Sequence, residues 1–93
     1  MAAVARKIRV TGLVQGVFFR AWTQHQANEV GVLGWVRNCR DGSVEAHLEG
    51  DPAAVDQLIE RLRKGPPAAE VQEIEIRDVE PEGFHHFDVA RSL

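Results

Sequence analysis

Val44, Ala46 and Leu48 alternate with Glu45, His47 and Glu49, and a period of two over six residues marks a strand with one buried face and one wet face. Ahead of it, Cys39-Arg40-Asp41-Gly42 supplies the Asp-Gly pair that closes a hairpin. Val32 to Asn38 is therefore predicted as the strand along which residues 44–49 return. Directly after Gly50, Asp51 can accept from the orphan amides of a first helical turn, and Pro52 costs nothing at the first helical position. Val55, Leu58, Ile59 and Leu62 then fall on one helix face. Arg61, Arg63 and Lys64 suit its negative C-terminal end, and Gly65-Pro66-Pro67 stops it.

The flanking segments complete the pattern. From Arg6, Ile8 and Val10 alternate with Lys7, Arg9 and Thr11 as in a half-buried strand. Phe19, Trp22 and Val30 recur at approximately helical spacing, with Gln26 interrupting the stripe and Gly31 as a stop, so a helix is predicted from about Arg20 to Val30. Downstream, Ile74 and Ile76 alternate with Glu73, Glu75 and Arg77, and after the turn-like Glu80-Pro81-Glu82-Gly83, Phe87 and Val89 suggest a last strand. The order β-α-β-β-α-β-β matches the α+β, ferredoxin-like split βαβ plan with an added C-terminal strand. In that plan an antiparallel sheet carries both helices on one face.

The chain has 93 residues, which fits one domain spanning 1–93 and excludes mechanisms that need two. Its apolar runs are far shorter than the roughly 20 residues a membrane helix needs, and too short for a signal-peptide core. A cytoplasmic protein without membrane contact is expected. Cys39, the single cysteine, can form neither an intrachain disulfide nor a Cys-type zinc site. The histidines are His25, His47, His85 and His86; neighbours on a strand point to opposite faces, so the last two make a poor chelate, and no metal is expected. Residues 1–40 carry six bases against one acid, net +5, and residues 41–93 carry five bases against thirteen acids, net −8. Gathered on one face, the N-terminal bases would attract a small anion, while the remainder would repel a polyanion such as nucleic acid.

Most catalytic patterns are absent. There is no GxxxxGK[ST] loop and no GxGxxG. Six positions after Cys39 stands Glu45 rather than the arginine of a cysteine phosphatase, and Ser43 and Ser92 give little basis for a serine nucleophile. What remains is the join between the first strand and the first helix, Gly12-Leu13-Val14-Gln15-Gly16-Val17-Phe18-Phe19-Arg20. Two glycines four apart let the backbone approach a ligand, the helix offers orphan N–H groups, and Arg20 stands at its start. An anion cradle built this way would let a phosphoryl group accept from several amides while the guanidinium grips two oxygens; a glycine-bearing strand-to-helix turn with an exposed arginine is the other reading, and glycine spacing alone favours it.

The same nine residues closely resemble the N-terminal signature of the acylphosphatases. Gly34-Trp35-Val36-Arg37-Asn38, followed by Asp41-Gly42-Ser43-Val44-Glu45 and Gly50, resembles the family's other signature. The resemblance implies hydrolysis of the carboxyl-phosphate bond in a small acyl phosphate, releasing inorganic phosphate, with no cofactor and no metal. It matches Arg20 to the phosphate-binding arginine and Asn38 to the asparagine that positions the attacking water. Gln15, Gly16, Val17, Phe18 and Phe19 are expected to join Arg20 in binding the phosphoryl group, chiefly through backbone amides.

The chemistry fits so sparse a set of residues. The leaving carboxylate has a conjugate acid of pKa about 4 to 5, so it departs without a general acid, and loose phosphoryl transfer asks mainly for positioning and charge stabilisation. A non-catalytic anion-binding module is the main rival reading, and the same unit serving a larger maturation system through carbamoyl phosphate is another. RNA binding on a ferredoxin-like sheet is disfavoured, because the strands lack paired exposed aromatics and the net charge is −3. With no helix apolar all round, a monomer is expected.

Overall fold

The computed structural model describes residues 3–93. In chain order the elements are β1 (Val4–Leu13), α1 (Phe19–Val30), β2 (Leu33–Asn38), β3 (Val44–Gly50), α2 (Pro52–Lys64), β4 (Glu70–Val79) and β5 (Phe87–Val89). The strands form one sheet in the order β4-β1-β3-β2-β5. Ile8 lies opposite Ala46 and Val10 opposite Val44, which puts the alternating apolar sets of β1 and β3 on the same side. Phe19 and Ala27 of α1 and Val55, Leu58 and Leu62 of α2 pack with them into one core. Truncating one of these, such as Leu58→Ala, would remove about 2–5 kcal/mol.

The helix ends follow the residues that flank them. Asp51 caps α2 by accepting from the Ala53 amide at 3.2 Å, and the three basic residues sit in the helix's last turn. Gln26, which interrupted the apolar stripe of α1, accepts from Arg61 of α2 at 2.7 Å; the polar residue belongs to the helix-helix contact. Gly34 is fixed by the sheet. It has φ +136°, and a Cβ there would lie 1.8 Å from the His47 carbonyl oxygen of β3, so no side chain fits.

Two expectations are corrected. The sheet is mixed rather than antiparallel: β1–β3, β1–β4 and β2–β3 are antiparallel, but β5 runs parallel to β2 with Gly34 beside Phe87 and Val36 beside Val89. The reason is the connection. β4 ends at one edge of the sheet and β5 lies at the other edge, so residues 80–86 cross one end of the sheet and the chain turns back up beside β2. The second correction follows from the first, because β3 has no fully wet face. His47 and Glu49 are 2 % and 4 % exposed, covered by that crossing. Phe84 meets the His47 ring edge-on at 5.1 Å. The Glu49 carboxylate accepts from the backbone amides of Glu82, Gly83 and Phe84, each at 2.8 Å, and lies 2.8 Å from His47 Nε2. Burial alone would raise the Glu49 carboxyl, but these donors prevail and hold it below the ordinary glutamate range.

Candidate active site

The loop between β1 and α1 opens on a cleft of about 360 Å³ at the end of the sheet opposite the crossing, lined by Val14, Gly16, Phe18, Phe19, Arg20, Ala21, Asn38 and Val89. Its shape follows from alternate pinning. Val14 and Phe19 are buried and Val17 packs on the core, while Gly16 and Phe18 point outward. Meeting both demands forces Gly16 to φ +75° and Phe18 to φ +65°. For phenylalanine that conformation costs of order 1–3 kcal/mol, and it persists because the residues on either side are held.

Phe18 is also the N-cap of α1, and no side chain caps that helix. The first helical bond runs from the Trp22 amide to the Phe18 carbonyl. The amides of Phe19, Arg20 and Ala21 therefore have no acceptor within the helix, and all three residues line the cleft. Positive helix-end charge and free N–H groups both favour an anion there.

Arg20 differs from most arginines of the chain. Arg6, Arg9, Arg37, Arg61 and Arg63 each face a carboxylate; among the described residues Arg20 has no such partner and is half-buried beside the cleft. Asn38 closes the other side from the end of β2. Its Oδ1 is buried and accepts no hydrogen bond from the described residues, and a buried unpaired amide oxygen costs on the order of 1–3 kcal/mol. The lining contains no Asp, Glu, His, Cys or Lys.

Residues 6–89 match the family model described as Acylphosphatase. The chain belongs to the acylphosphatase family. It is 53 % identical over 90 residues to an acylphosphatase of Gloeobacter violaceus, with 97 % of each chain covered. Among solved structures it is similar to an acylphosphatase from Coxiella burnetii, at TM-score 0.91 and 34 % identity over 95 % of this chain and 93 % of that one. It is equally similar to the acylphosphatase from Bacillus subtilis, at TM-score 0.91 and 35 % identity over 94 % and 98 %. As an acylphosphatase family member the chain is a hydrolase, and its substrates are small acyl phosphates.

Within this acylphosphatase chain, the cleft unites Gly16, Phe18, Phe19, Arg20 and Asn38 of the residues singled out from sequence. Gln15 and Val17 are placed elsewhere. Gln15 sends its side-chain amide to the carbonyls of Cys39 and Ser43, at 2.8 and 2.9 Å, bracing the loop against the β2–β3 hairpin. The N-terminal bases do not gather into one field: Lys7 and Arg37 face Glu45 and Arg9 faces Asp41. Trp22 packs beside the core at 5.8 Å from Phe19, the Lys7 and Arg37 cations lie over the Trp35 ring, and neither tryptophan lines the cleft. The hairpin loop is itself tied, since Ser43 donates its hydroxyl and its amide to Asp41 at 2.6 and 3.0 Å and thereby lowers the Asp41 carboxyl.

Sequence reasoning missed Val89. It reaches the cleft only because β5 lies parallel to β2, and no local signal carries that information. Among the described residues no cluster of three or more His, Cys, Asp or Glu side chains assembles.

Proposed function

We propose that this cleft binds the phosphoryl group of an acyl phosphate and delivers it to water. The observation that carries the reading is that Arg20, with no carboxylate partner, and Asn38, with an unpaired amide oxygen, line one cleft free of acids and bases. The Arg20 guanidinium and the amides of residues 16–20 bind the phosphoryl oxygens, with Gln15 holding their loop in place. As the phosphorus–carboxylate bond loosens, charge on the transferring group is met by donors already in position. The Asn38 carboxamide orients a water in line with the departing carboxylate. Water oxygen bonds to phosphorus, the phosphorus–carboxylate bond breaks with its electron pair leaving on the carboxylate, and the water proton ends on phosphate. A carboxylate is stable enough to leave unprotonated, which is why a site without a general acid suffices.

Release of inorganic phosphate from acetyl phosphate tests the proposal directly. Turnover well above the buffer rate, inhibited competitively by millimolar phosphate, is the expected result. Binding of phosphate without turnover would leave an anion-binding module, and turnover insensitive to phosphate would place the phosphoryl group elsewhere.

A further inference from the structure

Phe18 joins two features that each need a reason. Its backbone is left-handed, and its ring is 83 % exposed, more than any other large apolar side chain among the described residues. The backbone is accounted for by the pinning of Val17 and Phe19. The ring is not. Asparagine or glycine adopts that conformation more readily, and a phenyl group facing water adds nothing to the core. Yet Phe18 lines the cleft that holds Arg20 and Asn38. Val89, 41 % exposed on β5, is a second apolar side chain on that cleft.

The cleft's size points the same way. At about 360 Å³ it falls within the range of small-molecule sites, roughly 300–1,000 Å³, and the four heavy atoms of a phosphoryl group at Arg20 leave part of it open. In an acyl phosphate the remaining atoms are the acyl chain. No acid, base or second cation among the described lining residues offers that chain a polar partner.

We infer that Phe18 and Val89 form the acyl subsite, favouring acyl phosphates with an aromatic or longer apolar chain over acetyl phosphate. This rests on the phosphoryl group lying at Arg20 as proposed above. An apolar acyl group gains by leaving water, and an aromatic one also by stacking or edge contact with Phe18. The acyl body does not change during phosphoryl transfer, so these contacts act equally in ground and transition states. They set KM and leave kcat alone.

Steady-state kinetics on acetyl phosphate and benzoyl phosphate test the subsite in the wild type, Phe18→Asn, Phe18→Leu and Val89→Ala. Asparagine tolerates the left-handed backbone, so it removes the ring with the least disturbance of the loop. The wild-type KM for benzoyl phosphate should be about tenfold below that for acetyl phosphate. Phe18→Asn should bring the ratio of the two KM values close to one. Val89→Ala should shrink it by about two- to threefold, and Phe18→Leu should keep most of it. Damage to the loop or to the phosphate-binding amides affects both substrates alike and cancels in the ratio. A ratio unchanged in both Phe18→Asn and Val89→Ala, or a wild-type ratio near one, would overturn the acyl subsite while hydrolysis of both substrates left the proposed reaction standing. A wild type that cleaves neither substrate would overturn both.

Discussion

The Gln15 side-chain amide donates to the Cys39 carbonyl oxygen at 2.8 Å, and so ties the loop leading into α1 to the residue that directly follows Asn38. A second bond to the Ser43 carbonyl uses the other N–H of the same group. The spacing between the β1–α1 loop and Asn38 is thus braced by one side chain, and its chemistry is demanding, because only a group with two donors serves two carbonyls.

Gln15→Ala is expected to lower stability by about 1–3 kcal/mol, since it removes two hydrogen bonds worth about 0.5–1.5 kcal/mol each and leaves the Cys39 and Ser43 carbonyls only their backbone donors, the amides of Gly42 and Cys39. Gln15→Glu should be worse at neutral pH, as a carboxylate offers no donor and repels both oxygens. Urea unfolding of the two variants gives the order directly, and phosphate calorimetry should show weakened binding in both. An alanine variant as stable as the wild type would show that the brace is dispensable.

Arg20 and Asn38 should fail differently when removed, since one is proposed to bind and the other to position. Arg20→Ala should lose phosphate binding and turnover together, and Lys should rescue poorly because a point charge cannot reproduce the two-pronged contact. Asn38→Ala should lower turnover by on the order of a hundredfold, the usual loss for a transition-state positioning contact, with phosphate affinity little changed. Calorimetry and kinetics on both variants, once folding is confirmed, check the division. Equal loss of phosphate affinity in the two would contradict it.

Acyl phosphates should be cleaved far faster than alkyl phosphate monoesters. An alkoxide leaving group needs a proton donor, and the described lining of the cleft holds no acid. Rates on acetyl phosphate and on a simple alkyl phosphate make the comparison; similar values would reveal an acid outside this set of residues.

Gly34→Ala should prevent the native sheet from closing, because the added carbon would sit 1.8 Å from the backbone oxygen of His47, and backbone on a central strand cannot step aside. Loss of cooperative thermal unfolding is the expected outcome. A variant melting within a few degrees of the wild type would mean that β2 and β3 can separate locally.

Glu49 should make stability depend on acid. Its carboxyl is held below the ordinary value of 4.5 in the folded protein, so between the two values the unfolded chain binds more protons. Its contribution is complete above about pH 4.5 and is lost as pH falls through the lower, folded value. Unfolding midpoints measured from pH 6 down to pH 3 should fall more steeply for the wild type than for Glu49→Gln. Parallel curves would show that the carboxylate's hydrogen bonds carry no pH-linked stability.

The element order, both helices and the loop at the first strand-helix join were legible in the sequence because each depends on neighbours within a few residues: Asp51 before Pro52, Asp41 before Gly42, and the stripe from Val55 to Leu62. Alternation in β3 showed that Val44, Ala46 and Leu48 share a face. It could not show what would cover the other face, because the cover is a crossing more than thirty residues downstream whose Pro and Gly read as an ordinary turn. The parallel pairing of β5 was hidden for the same reason, and Val89 with it. At the site, the left-handed Phe18 was also illegible, since the conformation is imposed by packing on both sides rather than preferred by phenylalanine.

The sheet order also bears on how the molecule is assembled in time. β1, an interior strand of the sheet, has no partner close by in the chain: Val10 waits for Val44 and Ile74, and Ala5 for Val79. Such distant pairings must overcome loop-closure entropy before they are rewarded, which makes folding slow for a domain of this size. The loop after β1, Asn38 on β2 and Val89 on β5 become neighbours only when those pairings are complete. In a refolding experiment, helix content should return first, and catalysis should reappear only in the slowest phase, with closure of the sheet.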